Sequence, residues 1–322
     1  MNHILPTQNT LFDLPHLSIL NIDGEKAYDF LQGQISCDVS EVNPHAMRQG
    51  ALCNLKGRVL TLLDVVTWHG LKLVLPANLL EKTQNSLTKT AILSRVTLKP
   101  ATHYHVLGFY LHDTKQPLPF QGHWPTEKNS VLTQDSACAY YLGDQCYLML
   151  VDAIQFEVIK ASFMQENLLQ DAHAWHALRL KCGDIQIYPE SRGLFLPHRL
   201  GLQNTGHLNF DKGCYKGQEI IARTHYRAKI KHGMKIFKIE TKEVLKPGLK
   251  IMTEDGTREV GELVDFCSLG NNQYMVASSL LLEHPNSMRF ENHPYAFTQH
   301  SSETLSLSLS ADCGVANQEK QE

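Results

Sequence analysis

The sequence predicts an α+β protein that ends in an all-β module, and three observations carry the prediction. Residues 17–35 read as strand, turn and helix. A helix of 3.6-residue period follows a block of alternating strands at about residues 77 to 91. After His232 the pattern changes to short apolar runs, about 10 to 15 residues apart, with turns between them, most simply a small barrel. At 322 residues the chain exceeds the usual size of one domain, so two or three compact units are expected.

Taken in order, "LSILNI" (17–22) alternates as a strand, Gly24 turns it, and "EKAYDFLQGQI" sets Ala27, Phe30, Leu31 and Ile35 on one helical face. The run "ALCNLKGRVLTLLDVVTWHGLKLVLP" reads as strands broken near Lys56-Gly57 and His69-Gly70. The helix after it turns Leu79, Leu80, Thr83 and Leu87 inward, and the strand "RVTLKP" stops at Pro100. "HYHVLGFYL" and "CYLMLV" are strand-like, and the Pro-rich polar stretch "DTKQPLPFQGHWPTEKNSV" between them is a loop. A helix over about residues 153 to 169 buries Phe156, Ile159 and Phe163, and "AWHALRLKCG" is a second, closed by Gly183. The polar, serine-rich tail from about His300 is expected to be disordered.

Composition excludes several functions. With 43% hydrophobic and 20% charged residues and a net charge of −3, the chain is no general polyanion binder, so any nucleic-acid contact needs a local patch. No run of about 18 apolar residues occurs and the N-terminus lacks a basic, then apolar, leader. The expectation is a cytoplasmic protein without a membrane partner. The eight cysteines, at 37, 53, 138, 146, 182, 214, 267 and 313, form no C-x-x-C and no zinc-site spacing, so most are expected to be small buried hydrophobes. His103 and His105 share a strand face with no third ligand evident, and no metal site is expected. Neither G-x-G-x-x-G nor a P-loop occurs.

One stretch calls for chemistry: "FDKGCYKGQEIIARTHYRAKI", residues 210–230. If the backbone is extended around Cys214, Lys212 and Lys216 share the thiol's face and would lower its pKa, and Gly213 and Gly217 allow positive φ and close backbone approach. A helix there would turn the lysines away, and a solvated turn with an incidental thiol is the alternative. Arg223, Arg227, Lys229, Lys231 and Lys235 follow, with His225 and His232 among them and no acid between positions 219 and 240. They read as a direct tRNA-binding patch or as a solvated strand and linker. Only Tyr226 could stack on a base.

"KGCYKGQE" (212–219) resembles the signature K-G-C-Y-x-G-Q-E of the YgfZ-type folate-binding proteins, relatives of the glycine-cleavage aminomethyltransferase, or T-protein. "FLQGQISCDV" (30–39), "ALCNLKGRVL" (51–60), "WHALRLKCGDIQI" (175–187) and "FLPHRLGLQNTGHLNFDKG" (195–213) are also similar to family segments, in the family's order. The resemblance implies a three-domain ring around a central channel: two α+β domains and a C-terminal β-barrel. Residues 1–46 with 133–232 would form one discontinuous domain carrying the motif, 47–132 an inserted domain, 233–298 the barrel and 299–322 the tail.

The resemblance also implies a ligand, tetrahydrofolate or a derivative, in the channel. Trp175 matches the family's folate-contacting tryptophan, although a core aromatic anchoring its helix is the reading without the family. Arg179, Tyr215, Gln218 and Glu219 are the further expected folate contacts, with pairing to an acid at a domain interface the alternative for Arg179. Leu17 stands where some members carry a second tryptophan. T-proteins read N-x-x-G-G-I-x-D-D-L where this chain has "NLKGRVLTLL" (54–63), so Thr61 and Leu62 replace the two aspartates and neither can take a proton. Asp64 shares the face of Leu62 but lies two residues further along, and is not favoured as a substitute.

The function the resemblance implies is therefore an accessory factor for iron-sulfur cluster assembly or repair and, through it, tRNA methylthiolation. Cys214 would be its functional thiol, and iron-sulfur enzymes such as the tRNA methylthiotransferase its partners. Any iron-sulfur contact would be transient and shared with a partner, since full ligation normally takes four thiolates. A tetrahydrofolate-dependent aminomethyl- or methyltransferase and a direct tRNA-binding module are the alternatives.

Overall fold

The computed structural model describes residues 5–293 and 296–298. The tail expected to be disordered lies outside them. In chain order the first elements are β1 (Thr10–Asp13), β2 (Leu17–Asp23), α1 (Ala27–Gln32), β3 (Arg48–Cys53), β4 (Val59–Thr67), β5 (Leu71–Pro76), α2 (Ala77–Leu93) and β6 (Thr97–Pro100). There follow β7 (Tyr104–Tyr110), β8 (Val131–Thr133), β9 (Ala137–Gly143), β10 (Cys146–Asp152), α3 (Ala153–Gln165), β11 (Leu169–Gln170), α4 (Ala172–Lys181) and α5 (Gln218–Arg227). The chain ends in β12 (His232–Glu240), β13 (Lys250–Thr253), β14 (Glu259–Gly270), β15 (Gln273–Leu281), β16 (Ser287–Phe290) and β17 (Ala296–Thr298).

Three sheets result among the described residues. The first runs β3-β4-β5-β2-β6 and the second β11-β1-β7-β10-β9-β8. The third, a curled sheet that is the expected barrel module, runs β12-β15-β14-β13-β16-β17. The α+β class is as read from the sequence. Helix α2 covers the first sheet with Leu79, Thr83, Leu87 and Ala91 buried along one face. Asp152 and Asp171 cap α3 and α4 by accepting the amides of Gln155 and Ala174 at 2.7 and 2.9 Å. Among the described residues no helix is long and apolar enough to cross a membrane.

The sheets divide the chain differently from the expected bounds. β2, assigned to the segment 1–46, pairs with β5 and β6 of the segment 47–132, Leu20 facing both Leu73 and Pro100. β7, assigned to the inserted segment, pairs instead with β1 and β10. The physical reason is that β2 and β7 are both inner strands, and a strand with two open edges leaves backbone donors and acceptors that only two neighbours satisfy. Local patterning shows a strand but not its partners.

Two helical expectations also need correction. α3 ends at Gln165 rather than near 169, because Asn167 takes a left-handed turn (φ 55°) and the chain re-enters the second sheet as β11. Residues 218–227, read as extended or linker, form α5: Ile221 is sealed in the core while the arginines stay outside.

Candidate functional site

A cavity of about 130 Å³ lies between the first two sheets and α4, far larger than the roughly 10–15 Å³ that holds one water. β4 and β5 supply Leu62, Asp64, Val74 and Leu75, the second sheet Leu142 and Leu148, and α4 Trp175, His176 and Arg179. Asp184 and His207 close it from the segment that follows, and no residue of the third sheet is in its wall. A largely apolar cleft with a few convergent polar groups is the usual form of a small-molecule site.

Trp175 has one face in the core and another in the cavity wall. One face of its indole lies on Gly108, where a Cβ would come 2.6 Å from the ring, and Phe12 packs 5.2 Å away, so the side chain is anchored in the core. It also walls the cavity. Arg179, one helical turn on, is 7% exposed. Its Nε donates to Asp184 Oδ2 at 2.9 Å and its Nη2 to the same oxygen; Nη1 makes no hydrogen bond to nitrogen or oxygen, and the guanidinium lies beside the Cys146 thiol, whose pKa it helps to lower. Arg179 thus pairs with an acid, one that lies five residues on in the same segment. Opposed by burial, Asp184 is held below the usual carboxylate range by Arg179.

Asp64 is the second carboxylate of the wall. It accepts the Tyr140 hydroxyl at 2.9 Å on Oδ2 and the Gln49 amide at 3.2 Å on Oδ1. Burial raises its pKa to about 6 despite those donors. As the alternation of β4 implies, Leu62 and Asp64 both face the cavity, and Thr61 is sealed away from solvent. The shared face is as read from the sequence, and the Asp64 carboxylate lies in the cavity wall.

The motif residues are elsewhere. Cys214 is exposed and does not line the cavity, nor do Lys212, Tyr215, Lys216, Gln218 or Glu219. Lys212 is buried, and its Nζ donates to the carbonyl oxygens of Gln32, Ile35 and Cys37 at 2.8, 2.8 and 2.7 Å. Burial pushes its pKa down to about 8. The expected bracket of two lysines around the thiol is therefore corrected: the Lys212 ammonium is held by backbone, where it ties the motif to the end of α1. Lys216 is half-buried in the turn before α5, and Glu219 is exposed.

Tyr215 packs its ring into the core beside Lys212 Nζ, 5.1 Å from the centroid, and its amide donates to Gln218 Oε1 at 3.2 Å. These are the contacts of a docked turn. At Gly217 (φ 87°) a Cβ would lie 2.5 Å from the Asn54 carbonyl oxygen, so the motif turn sits directly on the β3–β4 hairpin. Gly213 has nothing within 4 Å of such a Cβ.

Sequence reasoning missed the acid cluster on the far side of α4. Asp265, buried in β14, accepts from the Tyr188 hydroxyl at 2.5 Å, the Gln186 amide at 2.8 Å and His176 Nε2 at 3.0 Å. Burial opposes the His176 imidazolium, yet the hydrogen bonds and charges of Asp265 and Cys267 outweigh it and bring the pKa to about 10. The pair ties the helix that carries Trp175 and Arg179 to the third sheet. An Asp set between the apolar Val264 and Phe266 in β14 was the only signal for it. Among the described residues no group of three or more His, Cys, Asp or Glu side chains is placed to hold a metal ion.

The fold defines a class: an aminomethyltransferase-type α+β protein, here with a half-open cavity between its first two sheets and α4. Glycine cleavage system aminomethyltransferase T from Bartonella henselae superposes with a TM-score of 0.65, covering 92% of this chain and 86% of that one at 14% identity. In sequence the chain is 23% identical over 307 residues to the tRNA-modifying protein YgfZ of Escherichia coli O127:H6 (strain E2348/69), spanning 90% of this chain and 94% of that protein. No protein-family model matches the chain. Together, sequence and fold match the superfamily of YgfZ and the glycine-cleavage T-proteins.

Proposed function

We propose that this chain is a cytoplasmic folate-binding accessory factor of tRNA modification, holding a tetrahydrofolate in the cavity walled by Trp175 and presenting Cys214 on its surface. The observation that carries the reading is the cavity itself. A buried indole, an arginine and a buried carboxylate suit a flat heterocycle with both donor and acceptor edges. Trp175, Arg179 and Asp64 are the residues that would hold it, and the bound folate would supply one-carbon or redox chemistry. Likeness to a protein named for tRNA modification supports the biological setting.

Cys214 fits a contact with a partner better than a role inside the cavity, because it is exposed and outside the wall. A thiolate is a nucleophile and a soft metal ligand, so a transient iron-sulfur contact shared with a client enzyme such as the tRNA methylthiotransferase is the role assigned to it. An aminomethyl transfer is disfavoured by the sealed Thr61 and the apolar Leu62.

Two measurements test the reading. Equilibrium titration with tetrahydrofolate, following intrinsic fluorescence, is expected to saturate, with the quench largely lost in Trp175→Phe; no saturation sinks the folate assignment. A null strain expressing Cys214→Ala is expected to lack tRNA methylthiolation, and full restoration removes the cysteine from the mechanism. Turnover of an aminomethyl or methyl donor by the folate-loaded protein would favour the transferase instead.

A further inference from the structure

The cavity contains a carboxylate that neither the motif nor the superfamily likeness assigns. Asp64 stands on β4 with one oxygen on the Tyr140 hydroxyl and the other on the Gln49 amide, and it shares the wall with Arg179. Each oxygen carries one donor and retains acceptor capacity. Leaving a carboxylate in apolar surroundings is costly unless something pairs with it. Tyr140 and Gln49 are both fixed by strand packing, so they orient the group rather than neutralise it.

We infer that Asp64 is a ligand-binding residue that accepts N–H donors from the heterocycle in the cavity, while Arg179, in the same wall, donates to its carbonyl edge. The ligand class is a fused amino-oxo heterocycle presenting donors and an acceptor, of which a reduced pterin is one. The inference rests on the folate reading above and adds to it the residue that would set specificity. A charge-assisted hydrogen bond of this kind strengthens as the carboxylate ionises, so binding should follow the charge on Asp64.

The groups that face Asp64 do not obscure its titration. Tyr140 ionises far above neutrality, Asp184 stays ionised beside Arg179, His207 is pushed down to about 4 by burial and His176 sits at about 10. His16, pushed down by burial from its ordinary value, is the remaining group with a place in the range, and an Asp64 variant separates its contribution.

The test is titration of the full chain with tetrahydrofolate, kept reduced, between about pH 5 and about pH 7. Wild-type affinity is expected to rise roughly tenfold over that span, the change expected of a group titrating near 6. Asp64→Asn should bind roughly tenfold to hundredfold more weakly at neutral pH with the slope gone. Tyr140→Phe, which keeps the ring packing and removes a donor to the carboxylate, should shift the midpoint upward. A wild-type profile with no slope, or a slope that survives in Asp64→Asn, overturns the inference and leaves folate binding standing. Absence of binding by the wild type at every pH overturns the folate reading, and this inference with it.

Discussion

The Lys212 ammonium lies 2.7 Å from the carbonyl oxygen of Cys37, deep under the surface on which the neighbouring Cys214 is exposed. Two motif residues that look like one chemical unit thus do separate jobs. The lysine donates to three backbone carbonyl oxygens beneath the motif, and the cysteine meets solvent.

Lys212→Met should therefore act on stability. Removing a buried cation from three carbonyls is expected to cost about 2 to 4 kcal/mol, read as a lower midpoint in chemical denaturation. Lys216→Ala, in a half-buried turn, should stay within about 0.5 kcal/mol of wild type. Equal costs for both would mean that the carbonyl bonds do not hold the motif.

The two motif glycines should separate in the same way. Gly217→Ala puts a Cβ at positive φ against the Asn54 carbonyl and is expected to cost about 1 to 3 kcal/mol. Gly213→Ala meets open space and should be nearly neutral. Thermal melts of the two variants side by side give the comparison.

The His176–Asp265 link predicts a pH dependence. The folded His176 pKa, about 10, lies above the ordinary 6.5, so the folded state holds a proton the unfolded chain releases. That stabilisation is complete below about pH 6.5 and is lost as pH rises toward 10. Denaturation midpoints should fall across this window, and Asp265→Asn should flatten the fall. Asp265→Ala, which leaves a buried imidazole, a tyrosine hydroxyl and a backbone amide without their acceptor, should cost about 3 to 5 kcal/mol.

Thiol accessibility should single out the motif cysteine. With iodoacetamide and peptide mapping, Cys214 should alkylate first among the described cysteines and half-buried Cys182 more slowly. Cys37, Cys53, Cys138, Cys146 and Cys267 should label only on unfolding. Protection of native Cys214 would contradict its exposure.

Much of this was legible in the sequence, and the limits are physical. Helix α2 was readable because Leu79, Thr83 and Leu87 repeat at helical spacing whatever they pack on. α5 was not, because its row of cations leaves Ile221 as its one buried residue, and that contact comes from a segment distant in sequence. Trp175 and Arg179 could be named because they sit four apart on a helix and match a known motif. Tyr140 and Asp265 could not, since each gains its role from a partner distant in sequence, and Asp184 and His207 reach the cavity wall only through tertiary packing.

By itself the sequence determined the α+β class, the β-rich end, the superfamily likeness and the residues of the motif, because these rest on local periodicity and contiguous matches. Tertiary structure alone decided which strands pair, that Lys212 faces backbone instead of the thiol, and that Asp64 stands in the cavity wall. The reason is that burial and hydrogen-bond partnership depend on what long-range packing places opposite a side chain, and no spacing along the chain encodes that directly.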